Sequence, residues 1–342
     1  MNLSLSTIIY TLLIFGVLIS THEFGHFIVA KKCGVIVEEF SIGMGPLIFK
    51  KKGKDETLYS LRLLPIGGYC KMYGEDEDEE EMGEGSLNFI SPFKRILVFA
   101  AGAGMNLLSA IIILMAVYGI MGTEPTTTIG KVLENNPAYT AGLRAGDTFV
   151  KINDTQITKW EDISNTINSS KGKELKVTYK TESGELKDTT VTPKLDSASN
   201  SYKIGINPTY SKSFIGTVKS SVKAFGTYIY VTFKALIDLI RGAIGINQLS
   251  GPIGVAGVIN EAVGAGFSIL LNITALLAIN IGIFNLLPIP ALDGSRILFC
   301  FIEMIKGSPI NREKEGMIHF VGFVLLMAFA VFVAVQDVIK LF

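Results

Sequence analysis

Scarce residue types narrow the possible functions of this chain. Its three cysteines show neither metal-type spacing nor an obvious pairing, so we assign them no function. Lysine plus arginine balance aspartate plus glutamate at 31 each, and without a basic excess the composition argues against nucleic acid as a partner. Histidine occurs only three times in 342 residues, so a pair of histidines four residues apart stands out.

Long apolar runs are plentiful. Hydrophobic residues make up 49% of the chain, and the mean hydropathy of +0.42 is too high for an ordinary soluble protein. A helix needs about 20 apolar residues to cross the hydrocarbon of a bilayer. Four segments meet that need: residues 3–30, 96–121, 267–289 and 317–335. No basic residue precedes the first one and no small-residue cleavage pattern ends it, so we read it as a retained span. The sequence predicts a polytopic α-helical membrane protein with four transmembrane helices.

Charges in the loops predict how the spans are oriented. Lysine and arginine crowd the loop between the first two spans, which the positive-inside rule places in the cytoplasm. Within that loop, short apolar runs broken by glycine and proline over residues 38–72 predict membrane-associated β-hairpins. The acidic run EDEDEEEMGEG that follows predicts a solvated segment.

A polar segment, residues 123–208, separates the second and third spans. Its pattern predicts strand, short helix, strand, helix and then two alternating strands, and the stretch from Pro137 to Asp147 resembles a PDZ domain. PDZ domains bind an extended peptide as an added strand. The charge topology places this insert outside the cytoplasm. We expect it to act as a size filter that prevents proteins with bulky extracytoplasmic domains from reaching the membrane spans.

The next apolar stretch, residues 213–244, has two readings. As a fifth span it would reverse the topology of the C-terminal half. Its five charged residues, however, fall within one arc of a helix, which favours an amphipathic helix lying on the outer membrane surface. Those five residues are Lys219, Lys223, Lys234, Asp238 and Arg241. The domains expected are therefore an N-terminal membrane region at 1–122, the insert at 123–208, the surface helix and linker at 209–266, and a C-terminal membrane region at 267–342.

The motif HEFGH lies inside the first span. On a helix, His22 and His26 leave the same face one turn apart and can share one metal ion, with Glu23 beside them to take a proton from water. Ionisable side chains are costly within hydrocarbon and mark a functional site by default. His26 lies five residues before Lys31, so the metal is expected on the order of 10 Å below the cytoplasmic surface.

A catalytic zinc site needs a third protein ligand. The candidates in apolar surroundings are Asp293, Glu303, Glu261 and His319. Asp293 has the most favourable context, because prolines break the third span just before it and broken backbone is tolerated where it lines a cavity.

Taken in order, the motifs resemble the site-2 protease family, and within it the bacterial regulator-of-sigma-E-protease type of intramembrane zinc metalloprotease. The motifs are HEFGH, GGYCKMYGE, GAGMN, the PDZ-like insert, LSGPIGV and NLLPIPALDG. The resemblance implies one catalytic zinc ion held by His22, His26 and Asp293, with Glu23 as the general base. It also implies substrate-binding roles, which would fall to Asn285, Asn106, Gly67, Gly68 and Tyr69.

The expected function is hydrolysis of a peptide bond within or near the transmembrane segment of a single-span substrate. Anti-sigma factors and remnant signal peptides are examples, usually after another protease has trimmed the outer domain. Such an enzyme lies in the plasma membrane with its active site near the cytoplasmic face. Two positions depart from the family pattern: Ala103 replaces a proline and Cys70 replaces a valine. An inactive scaffold has no need of the HEFGH motif, and a transporter would be expected to show inverted repeats, which the hydropathy lacks.

Overall fold

The computed structural model describes residues 4–75, 83–197 and 199–340. Most of the acidic run predicted to be solvated, residues 76–82, therefore lies outside the described residues. The chain divides into two compact units, one formed by residues 1–117 with 221–342 and the other by residues 118–220. The first unit carries all the residues predicted to form the active site.

Four helices in the described residues are long and apolar enough to cross a membrane, as predicted. They are α1 (Leu5–Cys33), α2 (Pro92–Met121), α7 (Phe267–Asn285) and α9 (Arg312–Ile339). Ser4 begins α1 by accepting a hydrogen bond from the Thr7 amide, and Gly34 ends it in the left-handed conformation at φ 87°.

A long twisted hairpin follows α1. Its strands β1 (Val37–Lys52) and β2 (Leu58–Met72) pair antiparallel. The start of β1, residues 39–42, pairs with residues 68–71 on one side and with 58–61 on the other, so the hairpin folds back on itself. Gly43 lies at this bend at φ 83°, where a Cβ would meet the carbonyl oxygen of Leu64 at 2.6 Å. The bend therefore requires glycine.

The turn of the hairpin is fastened to the end of α1. The Lys31 ammonium pairs with the carboxylate of Asp55 and donates to Thr57 Oγ1 at 3.0 Å. Lys31 also lies over the Phe27 ring, 5.1 Å from its centroid. These contacts hold the sheet beside the helix that carries the HEFGH motif.

The first unit has three further α-helices: α5 (Phe214–Ile240), which begins in the second unit, α6 (Pro252–Ala265) and α8 (Asp293–Lys306). Helix α6 packs on α1 and α7, and Thr7 on α1 donates to Asn260 at 2.5 Å. The LSGPIGV motif forms the start of α6, where the buried carboxylate of Asp337 accepts the Gly254 N–H at 2.8 Å. Because the first amides of a helix lack partners within it, Asp337 caps α6 from another helix.

Helix α5 is not among the four helices that qualify as spans. It is amphipathic as predicted, but the face opposite its charges packs on α7. Thr232 is 7% exposed and donates to Asn280 Oδ1 at 2.7 Å, and the Tyr228 hydroxyl donates to Asn272. Hydrogen bonds between apolar helices hold them in one register.

The second unit contains the predicted succession of strand, short helix, strand, helix and two strands, and it has four further strands, β5, β8, β9 and β10, that the sequence analysis did not predict. A sheet runs in the order β10-β3-β4-β6-β7, with β5 beside β4, and a separate hairpin is formed by β8 and β9. The strands are β3 (Glu124–Val132), β4 (Thr148–Ile152), β5 (Thr155–Gln156), β6 (Leu175–Lys180), β7 (Leu186–Val191), β8 (Lys194–Asp196), β9 (Ser201–Lys203) and β10 (Ile206–Ser211). The helices are α3 (Pro137–Thr140) and α4 (Trp160–Ser169). Phe149, Ile152 and Ile163 lie in its core at 1% exposure or less.

Candidate metal centre

The HEFGH motif lies in the cytoplasmic half predicted for α1. Helix α1 is unbroken from Leu5 to Cys33, so His22 and His26 leave the same face of it. Both side chains are buried, with 8% and 6% of their surface exposed. Their Nε2 atoms lie 3.2 Å apart. Two buried imidazoles therefore converge on one point.

The third member of the cluster, Asp293, arrives from the far end of the sequence. Helix α7 ends at Asn285, and the proline-containing turn that follows places Ala291 in the left-handed region at φ 75° before α8 begins at Asp293. Asp293 Oδ2 lies 3.0 Å from His22 Nε2 and 3.4 Å from His26 Nε2. That oxygen is buried and accepts no hydrogen bond of normal geometry from the described part of the chain. A buried carboxylate oxygen without a donor is costly unless another positive group satisfies it.

The three groups fit a zinc ion. Tetrahedral zinc with ligand bonds of about 2.0–2.1 Å separates its ligand atoms by roughly 3.3–3.4 Å. The three separations in this cluster are 3.0, 3.2 and 3.4 Å. Within the described residues, His22, His26 and Asp293 are the one group of histidine, cysteine and carboxylate side chains close enough to hold a metal ion.

Within the described residues, the other candidates for the third ligand are not part of this cluster. Glu303 forms an ion pair with Arg95, and Glu261 is exposed on α6. His319 lines a cavity that borders the cluster, but its Nδ1 accepts the backbone N–H of Ala291 at 3.0 Å. His319 thus supports the turn that leads into Asp293.

Glu23 borders the cluster and is not part of it. A cavity of about 410 Å³ is lined by Glu23, His26 and Asp293, together with Cys70 and Arg296. The Glu23 carboxylate can therefore contact a molecule that enters the cavity. This is the position required of a group that moves a proton.

Helix α2 supports the histidines from behind. A Cβ on Gly25 of α1 would lie 2.3 Å from the carbonyl oxygen of Ala101, so the two helices touch where α1 carries its histidines. On α2, a Cβ on Gly102 would lie 2.3 Å from His26 Nε2 and 2.7 Å from His22 Nε2. Small residues permit such close helix packing. The sequence analysis included Gly102 only as the first residue of the GAGMN motif and gave it no role, because glycine is common in membrane helices and its spacing from the HEFGH motif carries no signal.

Gly102→Ala should therefore disrupt the centre. The added methyl group overlaps both imidazoles, and we expect zinc affinity to fall about 10- to 100-fold, the loss typical when groups that support metal ligands are disturbed. Gly104→Ala is the matched control, since a Cβ there meets no heavy atom within 4 Å. Chelator competition on both variants measures the difference. Equal zinc affinity in the two variants would contradict the proposed packing.

Three of the remaining predicted site residues lie at or next to the metal centre. Gly68 lies beside the centre: a Cβ there would be 3.8 Å from Glu23 Cγ. Gly67 lines a neighbouring apolar groove together with Phe24 on α1. Asn106 is fully buried, and its amide lies 3.3 Å from His22 Nδ1.

Tyr69 and Asn285 make contacts of their own. Tyr69 accepts a hydrogen bond from Arg62 at 2.6 Å. Burial raises the pKa of Glu39 in the same cluster, but hydrogen bonds from Ser60, Tyr69 and Arg62 outweigh burial and hold that pKa below its usual value. Asn285 donates to the Ile281 carbonyl at 3.0 Å, and in the described parts of the chain no hydrogen bond joins it to the three clustered groups.

A second cavity of about 480 Å³ shares Arg296, Glu75 and His319 with the first. Two ion pairs line it, Arg296 with Glu75 and Arg95 with Glu303. Two ion pairs thus lie near the metal centre in a cavity that is otherwise lined mainly by apolar residues.

Comparison with known proteins agrees with this geometry. Residues 10–329 match peptidase family M50. A Clostridium acetobutylicum protein whose name describes it as a zinc metalloprotease is 38% identical over 339 residues, which cover 98% of both chains. Zinc metalloprotease RasP of Oceanobacillus iheyensis is 32% identical over 426 residues, covering 99% of this chain and 100% of the relative. The regulator of sigma-W protease RasP of Bacillus subtilis is 31% identical over 422 residues, covering 98% and 99%.

Solved structures match only part of the chain. The PDZ domain of the SdrC-like protein from Listeria monocytogenes is 22% identical, with a TM-score of 0.22, and the match covers 25% of this chain and 90% of that one. The second domain of a Listeria protein is 25% identical, with a TM-score of 0.22, and the match covers 25% and 85%.

Proposed function

The chain belongs to peptidase family M50, the site-2 protease family, and is a zinc metalloendopeptidase of the membrane, and from this premise we propose that it hydrolyses a peptide bond within or near the transmembrane segment of single-span proteins. The observation that carries the proposal is the cluster of His22, His26 and Asp293, three ligand-type groups brought together within apolar helices. Glu23 beside them supplies a proton acceptor.

Zinc held by His22, His26 and Asp293 would supply Lewis acidity, which makes water a better nucleophile and polarises the scissile carbonyl. Glu23 takes a proton from the attacking water as its oxygen bonds to the carbonyl carbon. The carbon–nitrogen bond then breaks, and Glu23 passes the proton to the leaving amine. The second proton of the attacking water also ends on the amine, so the products are one new carboxylate and one new ammonium group, and Glu23 regains its starting state.

The hairpin offers a means of holding the substrate. A transmembrane helix hides its carbonyls in internal hydrogen bonds and must unwind before attack. In the described chain, residues 68–71 pair with residues 39–42 on one edge, and the Gly68 end of this strand lies beside Glu23. An unwound substrate strand would pair with the other edge. A Cβ on Gly68 would lie 2.6 Å from the Ser41 carbonyl oxygen, so glycine permits the close pairing of these two strands beside Glu23.

We propose that the substrates are membrane-anchored regulators or remnant signal peptides. The relative in Bacillus subtilis is named for its control of sigma-W, which supports regulators of the anti-sigma type. We place the active site near the cytoplasmic face, because Lys31 and Lys32, in the last turn of α1, follow the final residue of the HEFGH motif by only five and six positions. Purification with the Glu23→Gln variant and identification of the co-purifying proteins would name the substrates.

The proposal is tested with purified protein in liposomes and a single-span test substrate. Cleavage should map to the membrane segment, stop when a chelator removes zinc and return when zinc is restored. A protein that cuts only soluble loops of the substrate, or cuts equally well without metal, would not have the proposed function.

The insert is proposed to be extracytoplasmic and to exclude substrates that still carry a folded ectodomain. Deleting residues 126–207 with a short linker should leave cleavage of a trimmed substrate intact and make the full-length form cleavable. Both substrates share one membrane segment, so the comparison isolates the ectodomain. Loss of cleavage of the trimmed form by a folded deletion variant would instead identify the insert as a recruiting module.

A further inference from the structure

Three residues of α2 face the two histidines at regular spacing. Val98, Gly102 and Asn106 lie four residues apart, so they form one stripe along the helix. All three are buried, and Asn106 is fully so. Each contacts a different part of the pair: Val98 meets one ring, Gly102 lies against both, and Asn106 meets the other ring.

The contact with Val98 fixes the protonation of His26. His26 Nδ1 lies 2.8 Å from the Val98 carbonyl oxygen. A carbonyl oxygen only accepts, so Nδ1 must carry the ring proton. The lone pair then lies on Nε2, the atom that faces Asp293. Gly102 leaves the space that lets this ring approach the α2 backbone.

The contact between Asn106 and His22 can form in two ways, because the side-chain amide of Asn106 can take either of two orientations. If the amide nitrogen donates to His22 Nδ1, the ring proton must lie on Nε2, and that nitrogen is unable to bind a metal. If the amide is rotated by 180°, its oxygen accepts from Nδ1–H and the Nε2 lone pair is free. Among the residues that the structure describes, Asn106 Oδ1 otherwise has no hydrogen-bond partner although it is buried. Only the second orientation of the amide is compatible with His22 as a metal ligand.

We infer that Asn106 is a positioning residue whose side-chain oxygen holds His22 in the metal-binding tautomer, as the Val98 carbonyl does for His26. The role replaces the direct substrate contact that the sequence suggests for Asn106, since a fully buried side chain is not available to a substrate. The inference rests on the proposed zinc site. It makes α2 the template that sets both imidazoles before zinc binds.

Zinc affinity of purified variants tests the inference, measured by competition with a chelator of known affinity. Asn106→Leu removes the acceptor and should weaken zinc binding about 10- to 100-fold. Asn106→Asp presents an oxygen in either orientation and should bind zinc within a few-fold of the unchanged protein. Ser109→Ala is the control on the same helix, because the Ser109 hydroxyl donates to the Met105 carbonyl one turn back on its own helix.

The outcomes separate the alternatives. If Asn106→Asp binds zinc as weakly as Asn106→Leu, the amide nitrogen is the true partner and the inference is wrong. Unchanged affinity in Asn106→Leu also overturns it. Should the leucine variant fail to fold, Asn106→Ala removes the acceptor without adding bulk and gives the same contrast. If the unchanged protein binds no zinc, or if His22→Ala binds it normally, the zinc site itself is wrong rather than the role of Asn106.

Discussion

Glu23→Gln is expected to abolish cleavage while leaving zinc bound. Glutamine keeps the shape of the side chain but has no carboxylate to accept the proton from the attacking water. General base catalysis typically contributes about 10²–10⁴-fold, so turnover should fall by at least that order. Zinc should remain at its original stoichiometry, because Glu23 lies outside the cluster of His22, His26 and Asp293.

The measurement pairs a cleavage assay with metal analysis of the same preparation. Glu261→Gln is the matched control, since Glu261 is an exposed glutamate on α6, and it should change neither quantity. If Glu23→Gln retains substantial turnover, another group takes the proton. If it loses zinc, Glu23 is a ligand or supports one.

Asp293→Ala should remove zinc from the protein. The substitution deletes one of three ligands and leaves two neutral imidazoles, so the loss of affinity should exceed the roughly 10- to 100-fold seen when only supporting groups are removed. His319→Ala is the informative comparison. His319 accepts the Ala291 N–H, and its loss should loosen the turn before Asp293 without removing a ligand.

Metal content and chelator competition distinguish the two variants. We expect a strong loss of zinc affinity in Asp293→Ala. The loss of affinity in His319→Ala should be smaller, and this variant should still bind zinc when zinc is saturating. The reverse order, with full zinc in Asp293→Ala and none in His319→Ala, would make His319 the third ligand.

Local periodicity made part of the centre predictable. Four residues bring two side chains to one face of any helix, so His22 and His26 are paired whatever surrounds them. The third ligand depends on a contact across more than 260 positions of sequence, from His26 to Asp293. Spacing alone left Glu261, Glu303 and His319 open. The ion pair of Glu303 with Arg95 and the hydrogen bond of His319 to Ala291 now separate them from Asp293.

The support from α2 was beyond sequence reasoning. The Val98 group that contacts His26 is a backbone carbonyl, which every residue has, so the side chain at that position gives no signal. Helix α5 shows a similar limit. Its charges mark the apolar face, but they do not reveal whether lipid or protein covers that face. The hydrogen bond from Thr232 to Asn280 shows that α7 covers part of it.

X-ray absorption at the zinc edge, recorded on purified protein, tests the metal centre most directly. With His22, His26 and Asp293 as ligands, we predict only nitrogen and oxygen neighbours at about 2.0–2.1 Å, including two imidazoles. Asp293→Ala should lose the signal or change its oxygen contribution. Cys70 lines the same cavity, so a thiolate ligand would be recognised by a sulfur neighbour at about 2.3 Å. A sulfur neighbour, or a spectrum with fewer than two imidazoles, would contradict the assignment.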